Sequence, residues 1–122
     1  MDKETFDYVA ERAKILSTAD SSKQATKEAA SSWMEAVSAD SSDAAVEEAT
    51  ETFVDFLEGR PRTIDMVIEF CDGPAKEIFG EEGAAKSAER HRQRKKEGAK
   101  FCDCPSCSAA SEILAKFGRV DL

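Results

Sequence analysis

Apolar residues in this chain recur at steps of three and four, and no run alternates them at steps of two. A spacing near 3.6 is the period of an α-helix, so each such stripe marks a helix face turned towards a core. Phe6, Val9, Ala13 and Leu16 form the first stripe. Ser17 to Ser22 then supply turn and capping chemistry. Ala25, Ala29, Trp33 and Val37 form a second stripe, whose small alanines admit a close neighbour and whose Trp33 reads as a core anchor. Asp40-Ser41-Ser42-Asp43 makes the next break. Val46, Ala49, Phe53 and Phe56 follow, and Gly59 with Pro61 beyond it stops that helix.

The second half is more broken. Ile64, Val67, Ile68 and Cys71 predict a short apolar helix ended by Asp72-Gly73. Pro74 opens a further short turn, with Ile78 and Phe79 expected to face inward before Gly80. Another helix is expected from about Glu81 to Glu97, with Gly98 as its stop. A cysteine-rich loop comes next. A last helix carrying Ile113, Leu114 and Phe117 then follows, capped by Ser106 or Ser108 and closed by Gly118. Strand and hairpin signals are nearly absent. The reading is an all-α, single-domain bundle over residues 1–122, with three longer helices, then shorter ones, and a cysteine-rich loop before the last.

A chain of 122 residues can bury roughly two-thirds of its unfolded surface, so it does not need a metal merely to fold. Apolar residues at 41% and charged residues at 34% place it among globular rather than disordered chains. No apolar run approaches the roughly 20 residues that span a bilayer, and Met1-Asp2-Lys3-Glu4 is too polar to open a signal peptide. The expected location is the cytoplasm, with no membrane partner. The net charge of −8 is concentrated in the first half, which should repel nucleic acid and anionic membranes.

Against this helical background stands His91 followed by Cys102-Asp103-Cys104-Pro105-Ser106-Cys107. Clustered thiols in a reducing cytosol are more often metal ligands or redox groups than structural disulfides. Zinc takes four tetrahedral ligands from thiolate and imidazole, and three cysteines with one histidine are a common structural set. Cys104 and Cys107 have the C-x2-C spacing that lets two thiolates converge, and Pro105 narrows the loop's freedom. Cys107 falls near a helix start, where the dipole favours thiolate. Cys102 reaches the same metal if the loop curls.

His91 shares the stripe of Ala84 and Ala88. Its helix rises roughly 10 Å from His91 to Gly98, a distance that the next four residues can retrace. His91 is thus the preferred fourth ligand, making the metal set His91, Cys102, Cys104 and Cys107. Cys71 is the rival, although its place after Val67 and Ile68 reads as a buried, inert thiol. Zinc is the expected metal, since iron–sulfur clusters take four cysteines at other spacings. A closed four-ligand site would be structural. A thiol redox or metal-handling role for the same cysteines is the alternative.

The run from Arg90 to Lys96, extended by Lys86 and Lys100, resembles the footprint of a nucleic-acid contact. Phe101 is the one aromatic beside it, so a solvated face, or one paired with the acidic first half or with another subunit, is favoured over nucleic acid. Enzyme signatures are scarce. With a single histidine there is no HExxH, the residue three before it is Ala88, and no phosphate-binding glycine loop occurs. No catalytic residues are therefore assigned.

The stretch from Gly98 to Cys107 after a histidine-bearing helix, with the opening Asp2-Lys3-Glu4-Thr5-Phe6-Asp7-Tyr8-Val9, resembles small helical proteins of anaerobic bacteria and methanogens. Those proteins are often labelled heat-shock chaperones of the ninety-kilodalton type. The chain has neither the length nor the ATP-binding motifs of that chaperone, so the resemblance implies only a small helical family with a shared Cys/His site. The resulting expectation is a zinc-bearing helical protein, its metal joining the last two helices, that acts on an unidentified protein partner.

Overall fold

The computed structural model describes residues 1–37 and 41–122. Six helices account for most of them: α1 (Lys3–Thr18), α2 (Gln24–Ala36), α3 (Asp43–Leu57), α4 (Ile64–Asp72), α5 (Ala75–Lys96) and α6 (Pro105–Lys116). Among the described residues the only β-pairing is an isolated antiparallel bridge between Thr63 and Phe101. The all-α expectation holds. Asp40 of the predicted break lies outside the described residues, but Ser42 caps α3 by accepting from the Ala45 amide at 3.1 Å. Asp2 caps α1 through the Thr5 amide, and that hydrogen bond holds its carboxyl below the usual carboxylate range.

The chain folds as two compact units. Met1–Pro61 with Asp103–Asp121 form the first, and Arg62–Cys102 with Leu122 the second. In the first unit α1 packs on α2 and α6, and α3 on α2 and α6. Its core is built from Val9, Ala13, Leu16, Trp33, Phe53, Val54, Leu57, Ile113 and Leu114. Around that core, Arg12 lies over the Tyr8 ring and pairs with Glu112 at 2.7 Å. Arg119 reaches back to Asp55 and Glu58, each at 2.8 Å.

Three expectations are corrected. In α2 the buried positions are Thr26, Ala30 and Trp33, so the stripe sits one residue later than Ala25 and Ala29. Ser106 and Ser108 do not cap α6; the side chain of Cys104 does, with Pro105 in the first turn. Ile78 and Phe79 point outward, at 64% and 67% exposure. The reason is Gly80, whose φ of 81° and ψ of 160° break the helical path inside α5 and turn the short leading segment away from the stripe behind it.

In the second unit α4 packs against α5. The α5 stripe is Ala84, Ala88 and His91, all buried, so its small side chains let α4 approach closely. Val67, Cys71 and Ala88 form the cluster between the helices, and Cys102 packs at its edge. Thr63 caps α4 through the Met66 amide at 3.2 Å. Residues 62–64 and 100–102 then run side by side, with the Ile64 amide donating to the Lys100 carbonyl at 2.9 Å and the Cys102 amide to the Arg62 carbonyl at 2.8 Å.

Gly80 gives a direct test of the kink. Its backbone lies in a region that only glycine occupies comfortably. A Cβ there meets nothing within 4 Å, so the cost of substitution is conformational rather than steric. Gly80→Ala is expected to destabilise by about 1–3 kcal/mol in denaturant titration. Gly83→Ala in the helical part of α5, where an added Cβ makes ordinary contact at 3.7 Å, should instead gain about 0.4–1 kcal/mol. Equal effects at the two sites would refute the kink.

Candidate metal centre

Each of the three clustered cysteines is placed by local chemistry. Cys104 has extended backbone (φ −63°, ψ 156°) and occupies the N-cap of α6. Its sulfur accepts from the Cys107 amide at 3.3 Å, which satisfies one of the amides that the first helical turn leaves without an intrahelical partner. Pro105 loses nothing at the next position, because its missing N–H would have been one of those amides. Cys107 sits one turn into α6 and is buried. Cys102 is half-buried at the end of the 100–102 pairing.

The outcome is a convergent set. The sulfur atoms of Cys102, Cys104 and Cys107 all lie within 4.8 Å of one another. The three fall within one six-residue stretch, so their closeness is a property of that segment. All four cysteines of the chain are thiols rather than disulfides. Thiolate sets of this kind are selective for soft or borderline ions such as zinc, copper(I) and iron in clusters.

The first turn of α6 is further fixed from within the first unit. The Ser106 amide donates to the Ser21 hydroxyl at 3.1 Å, and the Ser22 hydroxyl donates to that of Ser106 at 2.9 Å. Ser21 and Ser22, expected to serve the α1–α2 turn, thus hold the cysteine-bearing helix start. Sequence spacing carries no signal for this, as the partners are 84 and 85 residues apart.

His91 is buried on the inner face of α5, as its spacing from Ala84 and Ala88 predicts. Its Nδ1 lies 3.1 Å from the Arg94 guanidinium and its Nε2 lies 3.2 Å from that of Arg90. A neutral imidazole has one acceptor nitrogen, so at most one of these contacts is a hydrogen bond. Arg94 also donates to the Phe101 carbonyl at 3.0 Å, tying the histidine's helix to the residue before Cys102. That role was missed from sequence, although Arg94 lies three residues after His91 and hence on the same helix face.

Cys71 is buried, and its thiol donates to the Ser87 hydroxyl at 3.3 Å. His91, Cys71, Ser87 and Cys102 all line one cavity of about 170 Å³ in the second unit. Both candidate fourth ligands therefore face the same space as Cys102, while the donors that converge on one point are the three cysteines Cys102, Cys104 and Cys107.

The basic run is partly paired within its own unit. Arg92 pairs with Asp72, Lys95 with Asp65 at 2.5 Å, and Lys86 with Glu82 at 3.2 Å. The partners of Arg92 and Lys95 are α4 carboxylates rather than residues of the acidic first half, and Lys86 pairs within α5. Among the described residues no helix is long and apolar enough to cross a membrane. Comparison of the chain with protein-family models, curated proteins and solved structures finds no match.

Proposed function

We propose that this chain is a small zinc-binding helical protein in which Cys102, Cys104, Cys107 and His91 hold a structural zinc. The observation that carries the reading is the convergence of three sulfur atoms within 4.8 Å. Structural zinc is bound tetrahedrally by four protein ligands, and three thiolates with one imidazole complete that number. Both His91 and Cys71 are buried and line the cavity of Cys102; His91 is favoured because an imidazole completes the common set of three thiolates and one histidine, while Cys71 packs in an apolar cluster with Val67 and Ala88. Ligation by His91 displaces one of its guanidinium contacts. A closed site leaves no coordination position for a substrate, so the chain acts through its surfaces, in protein interaction.

The second unit supports a stabilising role. Its cluster consists of Val67, Cys71 and Ala88 with Cys102 packed at the edge, a small core that a metal held by Cys102 would reinforce.

Metal analysis of protein purified without added metal tests the reading. One zinc per chain is expected, lost when Cys104 and Cys107 are both replaced by serine. Metal-free protein, or protein holding iron, would overturn it. X-ray absorption at the zinc edge then separates the ligand sets. Three Zn–S distances near 2.3 Å with one Zn–N near 2.0–2.1 Å support His91, and four Zn–S distances transfer the position to Cys71.

A further inference from the structure

We infer that Cys104 and Cys107 form a redox-active dithiol, and that its oxidation by a small-molecule disulfide expels the metal. Metal release rests on the zinc reading above; disulfide formation by this pair does not. Both residues belong to the first turn of α6, at its N-cap and one turn inside it. Their sulfurs lie within 4.8 Å of each other, so a modest rotation brings them to bonding distance. The Ser21 and Ser22 contacts to Ser106 hold that turn while the bond forms.

The pair is asymmetric. Cys104 is half-buried and reachable, while Cys107 is buried beneath the helix start. The Cys104 sulfur receives the Cys107 amide at 3.3 Å at the start of α6, which holds the two residues face to face. The competing pair, Cys102 with Cys104, is separated by one residue. Its Cys102 backbone is also tied to Arg62 by the hydrogen bond from the Cys102 amide to the Arg62 carbonyl, whereas Cys104 and Cys107 share one helical turn.

The reaction runs in two exchanges. The Cys104 thiolate attacks one sulfur of oxidised glutathione, forming a mixed disulfide and releasing the first glutathione thiolate. The Cys107 thiolate then attacks the Cys104 sulfur of that mixed disulfide and releases the second. Two electrons pass from the protein to glutathione, and zinc leaves unchanged as Zn²⁺. Cys102 is then the sole remaining thiolate of the cluster, too few to retain the ion.

The test uses zinc-containing protein in glutathione buffers of increasing oxidised fraction. Bound zinc is read with a chromophoric chelator and disulfides by peptide mass mapping. Stoichiometric zinc loss with a Cys104–Cys107 disulfide, consuming two of the four thiols and reversed by dithiothreitol with added zinc, is the expected result. In Cys107→Ser, glutathione should remain trapped on Cys104; in Cys104→Ser, no adduct should accumulate on Cys107. Zinc retained with both thiols reduced would overturn the inference and leave the metal reading intact. A disulfide mapped to Cys102 or Cys71 would also overturn it. Protein that carries no zinc as purified refutes the metal reading, and the disulfide map still decides the dithiol.

Discussion

Trp33→Ala is expected to cost about 3–5 kcal/mol, enough to unfold the first unit if its total stability lies near the lower end of the usual 5–15 kcal/mol. Trp33 is 2% exposed and bridges three helices. Its ring meets Phe6 of α1 at 5.6 Å between centroids and Phe53 of α3 at 6.0 Å. Its indole N–H donates to the Thr50 hydroxyl at 2.9 Å, which in turn donates to the Val46 carbonyl at 2.7 Å. Milder variants keep the prediction measurable. Thr50→Val retains the volume but leaves the buried indole N–H without its acceptor, for about 1–3 kcal/mol. Trp33→Phe added to Thr50→Val should then cost less than the two single losses together, because the orphaned donor is gone. Urea titration of the four proteins reads this cycle. Strict additivity would mean that the indole–hydroxyl bond contributes nothing.

Thr50 also shows why the sequence reading of the core was incomplete. A threonine inside a helix satisfies its hydroxyl on the carbonyl one turn back, so it can be buried while counting as polar in a hydropathy pattern. Thr26 and Thr50 are both core positions that apolar periodicity passes over, and the misplaced register of α2 follows from the first of them. Ile78 and Phe79 failed differently. Their spacing fits a stripe only if the helix continues, and the Gly80 geometry ends it. The Cys104 cap was missed because thiols are not among the residues usually expected at helix starts. By contrast, the thiol cluster was legible, since its three members share six residues and their convergence needs no tertiary knowledge. The candidate fourth ligand, His91, was less legible because its placement depends on how α5 packs. The Ala84–Ala88–His91 stripe fixed which way the histidine faces, but not that Arg90 and Arg94 would stand beside it.

On the proposed zinc reading, chelator treatment is expected to loosen the second unit far more than the first. Structural zinc in small peptides contributes roughly 10–16 kcal/mol of apparent binding energy, which becomes folding energy when the apo site is not preformed. The first unit has a core of Leu16, Trp33, Phe53, Leu57, Ile113 and Leu114 to fall back on. The second has Ile64 and Val67 as its buried branched residues, with Cys71 and alanines filling the rest. Cys102 packs against Val67, Cys71 and Ala88, and Arg94 links the His91 helix to Phe101. A zinc held by Cys102 and His91 would pin both ends of that arrangement. Amide hydrogen exchange with and without chelator should show protection collapsing across α4 and the His91 half of α5, with α1 and α3 nearly unchanged. The first turn of α6 should change only locally, because Ser21 and Ser22 still hold Ser106 there. Uniform loss in both units would mean that the metal stabilises the protein globally. Unchanged protection in α4 and α5 would mean that alanine packing alone sustains the second unit and that zinc has no structural role in it.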